Sequence, residues 1–279
     1  MDRRFQLVDV FHDGAFSGNP LAVVFDADGL STEEMQRITQ WLNLSETAFL
    51  LAPTSAADYR VRIFTLQREI PFAGHPTLGS CHAWLTSGGK PRAGTMIMQE
   101  CGAGIVPISR AGMHLAFAAP ALLRGGDVDE TKIQEIADFL RIDRKSIIAA
   151  QWADNGPGWV VVLLETAEAV LALNPPKGYS TRIDLGVVGP YPSGSPAAFE
   201  LRAFFSDHTG GVVEDPVTGS LNASVAQWLI ASGRASAPYT VSQGTRLGRS
   251  GRIFISEDRV GDVWVGGKTN TLFSGKSSF

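Results

Sequence analysis

Cysteine is scarce in this sequence: Cys81 and Cys101 are the only two in 279 residues. They form no CxxC pair and fit two free thiols in a reducing compartment, so a cytoplasmic location is expected. The five histidines, His12, His75, His82, His114 and His208, show no metal-ligand spacing with one another, with cysteine or with acids, so no metal site is expected. Neither a GxGxxG run nor a GxxxxGK run ending in Ser or Thr is present. A dinucleotide or P-loop reading therefore finds no support, and no cofactor is expected. No apolar run approaches the ~18 residues of a membrane span. The Met-Asp-Arg-Arg-Phe start lacks a long apolar stretch, so no signal peptide is expected. Net charge is −4 with scattered Lys and Arg, which points away from nucleic acid and anionic membrane as partners.

What is present is 44% hydrophobic, enough for full cores, and long enough for about two domains of ~100–200 residues. Phe5 to Phe11 reads as a strand with polar breaks at Gln6 and Asp9. Phe16-Ser17-Gly18-Asn19-Pro20 reads as a turn, and Leu21 to Phe25 as the second strand of a hairpin-like pair. Asn19 is placed to present its amide to a ligand, although Asn and Gly serve turns everywhere. Ser31-Thr32-Glu33-Glu34 is a capping box, followed by a helical stripe at Met35, Ile38, Trp41 and Leu42. Tyr59 to Leu66 alternates with period two. A helix is predicted from about Thr77 to Leu85, with Cys81 in its core stripe. Three short strands follow, His114 in the last, with links too short for crossovers, so antiparallel pairing is expected. Pro120 to Gly126 is the best linker. Beyond it lie a helix with Asp129 as N-cap, strands from Trp159, Ile183 and Phe199, a helix from Ser220 to about Ala231, and three closing strands, the last at Asp262 to Val265.

Glu46 is the odd residue. It sits at the mouth of the apolar run Ala48 to Leu51, where a charge is costly unless paired or protonated. A carboxylate half withdrawn from water has its pKa raised toward neutrality and moves protons at physiological pH; a salt bridge or a cap is the plainer role. Two Gly/Pro-bearing turns accompany it, around Gly74-His75-Pro76 and around Asp215-Pro216-Val217-Thr218-Gly219-Ser220. Each opens an apolar helix, where free N–H groups and the positive helix end gather an anion. For His75, Asp215 and Ser220 the plainer roles are loop cap, turn starter and N-cap. The two halves repeat this pattern, with Arg62-Ile63-Phe64 at about the place of Arg202-Ala203-Phe204. Two similar domains are expected, 1–119 (open to completion by 267–279) and 120–266, with the site in the cleft between them.

The stretches Phe16 to Val24, Asn43 to Phe49, Phe72 to Gly79, Glu214 to Ser220 and Gln243 to Arg249, with Val265-Gly266-Gly267, resemble the phenazine-biosynthesis PhzF-like family in order and spacing. The resemblance implies an α+β, diaminopimelate epimerase-like fold of two pseudo-symmetric domains, each a mostly antiparallel sheet wrapped around a central helix. It implies a cofactor-independent isomerase that shifts a proton on trans-2,3-dihydro-3-hydroxyanthranilate or a similar small carboxylate, and a homodimer. Glu46 matches the family's proton-shuttling carboxylate. His75, Asp215 and Ser220 match residues that surround the substrate and assist. Backbone groups around Gly74-His75 and Thr218-Gly219-Ser220 would hold the substrate carboxylate. Where related epimerases carry a cysteine in each loop, this chain has Ala73 and Asp215, which disfavours a two-thiol racemase. An epimerase or other isomerase on a different carboxylate, and a binding protein of the same fold without turnover, stay open.

Overall fold

The computed structural model of the protein describes residues 2–207 and 209–278, so His208 lies outside the described residues. The chain divides into two compact units: Met1–Ala118 with Gly266–Phe279, and Ala119–Val265.

The first unit runs β1 (Asp2–Val10), β2 (Asn19–Val24), α1 (Thr32–Leu42), β3 (Glu46–Leu51), β4 (Tyr59–Thr65), β5 (Glu69–Ile70), α2 (Gly74–Thr86), β6 (Met96–Cys101), β7 (Gly104–Ser109) and β8 (Leu115–Ala118). The C-terminal strand Thr269–Ser278 pairs along β1, and the sheet continues β1-β2-β3-β4-β6-β7-β8. Two joints are parallel, β2 with β3 and β4 with β6, and the chain crosses each by a helix, α1 and α2, because parallel neighbours cannot be joined by a hairpin. The other pairings are antiparallel. Ser31 caps α1 by the predicted reciprocal box: its hydroxyl accepts Glu34 N–H and Glu34 Oε2 accepts Ser31 N–H. Met35 anchors this helix among Val24, Ala27, Phe49 and Phe64.

Helix α2 is buried from Gly74 through Cys81 on every side rather than along one stripe, as a helix enclosed by its own sheet is, and it takes His75, Thr77 and Ser80 into the interior with it. Gly79 shows how close the sheet comes. A Cβ there would lie 2.5 Å from Leu21 Cδ2 and 2.9 Å from Val10 Cγ2, on β2 and β1. Both partners are fully buried and cannot retreat. Gly79→Ala is therefore expected to destabilise the protein by about 1–3 kcal/mol in urea unfolding, although alanine is the better helix former. Unchanged or increased stability would contradict this packing.

The second unit repeats the first: α3 (Glu130–Leu140), β9 (Ala149–Trp152), β10 (Val160–Leu163), α4 (Ala167–Ala172), β11 (Asp184–Pro190), β12 (Phe199–Ser206), β13 (Val212–Asp215), α5 (Gly219–Ala231), β14 (Tyr239–Gln243) and β15 (Gly251–Glu257). Its sheet order is β9-β10-β11-β12-β14-β15, with parallel joints at β10–β11 and β12–β14 and β13 as a hairpin on β12. The register repeats too. Phe64 stands opposite Glu69 and Phe204 opposite Glu214. Arg62 pairs with Glu69 at 2.6 Å and Arg202 with Glu214 at 2.7 Å. Each arginine thus braces the short strand that leads to its unit's central helix.

Several expectations are corrected. Thr269–Ser278, where the sequence pattern predicts no strand, is a ten-residue strand; it is polar and largely exposed, so it has no apolar alternation and its form comes from pairing with β1. The central helix begins at Gly74, not Thr77, which puts His75 and Pro76 inside its first turn, where proline's missing N–H costs nothing. Helix α5 begins at Gly219 with Thr218 as N-cap, so Ser220 is not an N-cap. His114 precedes β8 rather than lying in it. Cys81 is buried, Cys101 is half-buried, and both are free thiols. Among the described residues no helix is long and apolar enough to cross a membrane.

Candidate active site

Glu46 is the first residue of β3. Asn43 ends α1 in the left-handed region at φ 54°, its N–H donating to Thr39 O, and this turn delivers Glu46 to the strand mouth. His75, second residue of α2, is 4% exposed, and its Nε2 lies 3.7 Å from Glu46 Oε2. That separation is too long for a hydrogen bond and short enough for both groups to reach one small ligand. The Glu46 side chain is 18% exposed, but Oε2 is buried and takes no hydrogen bond. Loss of water pushes the carboxyl up from 4.5 to about 7, against the opposing pull of a hydrogen bond from Ser45. Burial thus keeps the Glu46 carboxyl protonated to a higher pH than a free glutamate.

The opening turn of α2 has no side-chain cap: its N-cap is Ala73. Asn19, first residue of β2, is buried and stands opposite Val10. The turn before it is held by Asp9, whose carboxylate accepts Ser17 N–H at 3.0 Å and Gly18 N–H at 2.9 Å. Asp9 was visible in the sequence only as a polar break; the signal was a charge in the middle of an otherwise apolar strand.

In the second unit, Asp215 closes β13 and Thr218 caps α5 with its backbone alone. Thr218 Oγ1 donates to Asp215 Oδ2 at 2.6 Å. Ser220, second residue of α5, accepts Trp159 Nε1–H at its hydroxyl at 3.4 Å, and its carbonyl accepts Asn155 Nδ2 at 2.8 Å. Ser220 follows Glu214 by the same six positions that separate His75 from Glu69, so the two occupy equivalent places in the repeat. The counterpart of Glu46 is Asp184, also first in its strand, but Arg182 Nε lies 2.5 Å from its Oδ2. The arginine claims Asp184 as an ion pair, whereas among the described residues the ionisable group beside Glu46 is His75. Among the described residues no group of three His, Cys, Asp or Glu is placed to hold a metal ion.

The family model described as phenazine biosynthesis-like protein matches residues 8–275. The chain belongs to this family. Antisense-enhancing sequence 1 of Schizosaccharomyces pombe is 37% identical over 295 residues, covering 99% of each chain. The trans-2,3-dihydro-3-hydroxyanthranilate isomerase of Pseudomonas aeruginosa is 32% identical over 284 residues, covering 98% of this chain and 99% of that one. A phenazine biosynthesis protein of the PhzF family from Bacillus anthracis superposes with a TM-score of 0.83 over 100% of both chains at 22% identity, and shows the fold. Membership of the phenazine biosynthesis-like family places the chain among isomerases and epimerases of diaminopimelate epimerase-like fold.

Proposed function

We propose that this protein isomerises a small cyclic amino or carboxylic acid by proton transfer through Glu46, with trans-2,3-dihydro-3-hydroxyanthranilate as the first compound to test. The observation that carries the reading is the Glu46 carboxyl, raised to about 7 and lying 3.7 Å from His75. As the carboxylate, Glu46 removes a C–H proton from the substrate; as the acid, it returns the proton to another carbon of the conjugated system, so no electrons leave the substrate. His75 donates a hydrogen bond where negative charge develops. The uncapped opening of α2 supplies the backbone N–H group of Gly74 for a substrate carboxylate. Within the first unit the same proposal gives Asn19 a ligand contact, and within the second it takes Asp215, held by Thr218, as a group that binds an amine.

The thiols argue against a two-cysteine racemase. Cys81 lies inside α2 with its pKa pushed up to about 12 by burial, and burial raises Cys101 as well. A thiol so reluctant to ionise is a poor base at neutral pH. The test is turnover of trans-2,3-dihydro-3-hydroxyanthranilate beside a panel of small carboxylates, followed by absorbance. Conversion of one of them is expected. Tight binding without conversion or solvent isotope exchange would identify a binding protein instead.

A further inference from the structure

The motif Gln243-Gly244-Thr245-Arg246-Leu247-Gly248-Arg249 holds none of the residues assigned above. Gln243 is the last residue of β14, set between β12 and β15 and fully buried. All four of its side-chain bonds end on the helix-entry loop or on α5. Its Oε1 accepts Thr218 N–H at 3.0 Å and Asn222 Nδ2 at 2.8 Å. Its Nε2 donates to Thr218 Oγ1 at 3.0 Å and Asp215 O at 3.2 Å.

The direction of each bond matters. Two donors converge on Oε1, which fixes the amide orientation, and Nε2 can then only donate. Thr218 Oγ1 must accept from it, so the one hydroxyl hydrogen of Thr218 is left for Asp215 Oδ2. Gly244 adds a steric constraint. Its φ is +89°, and a Cβ there would stand 2.6 Å from the carbonyl oxygen of Pro216. The first unit also sets a glycine against the loop proline at the equivalent place: a Cβ on Gly102 would stand 2.8 Å from Pro71 Cα, and Ala103 N–H donates to Pro71 O. Pro71 and Pro216 each lie two residues beyond their unit's bracing glutamate. The repeat has thus kept a strand-end glycine seated on the proline of each helix-entry loop.

We infer that Gln243 and Gly244 are positioning residues that template the Asp215–Ser220 loop and hold Thr218 as hydrogen-bond donor to Asp215. The inference rests on the function proposed above for its consequence in turnover, but not for its structural content, and the test separates the two. In the full-length protein, amide hydrogen exchange is followed at Thr218 and along β11 for wild type, Gln243→Leu, Gln243→Glu and Gly244→Ala. Gln243→Leu removes the acceptor of Thr218 N–H, and that amide is expected to exchange about tenfold faster while β11 is unchanged. Gln243→Glu keeps the acceptor but turns Nε2 into a second one, which competes for the Thr218 hydroxyl hydrogen. Exchange at Thr218 is then expected to stay within about threefold of wild type while kcat falls by about 10²-fold with little change in KM. Gly244→Ala is expected to speed exchange at Thr218, and it carries the exchange test should Gln243→Leu not fold. Wild-type exchange at Thr218 in both Gln243→Leu and Gly244→Ala would overturn the template whatever the substrate. Wild-type kcat in Gln243→Glu would overturn its part in the reaction. A wild-type enzyme that converts no carboxylate would sink the proposed function alone, and the exchange rates would still decide the template.

Discussion

Glu46→Gln is expected to lower kcat by about 10³-fold while changing KM little. Glutamine matches glutamate in shape and fits the same place at the mouth of β3, so the fold and the His75 contact surface are kept. What is lost is the only property the mechanism needs from this side chain, the ability to bind and release a proton. The pH dependence follows. The step that removes the C–H proton uses the carboxylate, so kcat/KM of the wild type should rise with pH through about 7, where burial has moved the Glu46 ionisation. The residual activity of the variant should show no such rise. Steady-state kinetics of both proteins between pH 5 and pH 9 checks both points. A variant within about tenfold of wild type would remove Glu46 from the chemistry.

The same substitution is expected to stabilise the protein at alkaline pH. The Glu46 carboxyl ionises near 4.5 when unfolded and at about 7 when folded. Between those values the folded state holds a proton that the unfolded state has released, so stability falls as pH rises across this window and stays lower above it. At 1.36 kcal/mol per pKa unit the cost reaches about 3 kcal/mol above pH 7. Below pH 4.5 both states are protonated and the cost vanishes. Urea unfolding should therefore show Glu46→Gln gaining on wild type by up to about 3 kcal/mol at pH 8, and by almost nothing at pH 4. Parallel stability curves for the two proteins across this range would mean that Glu46 is not desolvated. A residue that costs stability where it supplies function is the usual signature of a site rather than of a core.

Glu46 was legible in the sequence because its surroundings are local: an acid placed two residues before an uninterrupted apolar strand has few ways to stay solvated. The repeat was legible because alternation in Tyr59 to Leu66 and Phe199 to Phe205, and the turn before each central helix, are patterns of short range. The C-terminal strand was not, because Thr269–Ser278 owes its form to β1, more than 250 residues earlier, and carries no pattern of its own. The start of α2 was misplaced by three residues because proline reads as a breaker, although in the first helical turn it is harmless. Asp9, Asp184 and Gln243 could not be ranked from sequence. Asp9 and Gln243 act through partners that the fold brings near, the Ser17–Gly18 turn and the Thr218 loop, and Asp184 through Arg182, two residues earlier, whose side chain reaches it only in the folded geometry. Arg62 and Arg202 match as a pair in the sequence, but their carboxylate partners Glu69 and Glu214 lie on strands too short to show a period.

Glu46 is proposed to carry a proton between two carbons of one substrate. The most direct test is to incubate trans-2,3-dihydro-3-hydroxyanthranilate with wild type and with Glu46→Gln in D2O and to follow substrate loss and carbon-bound deuterium by proton NMR. Loss of substrate with deuterium entering the product in the wild type, and neither in the variant, is the result predicted. Equal deuterium uptake by the two proteins would contradict it and assign the proton transfer to another group.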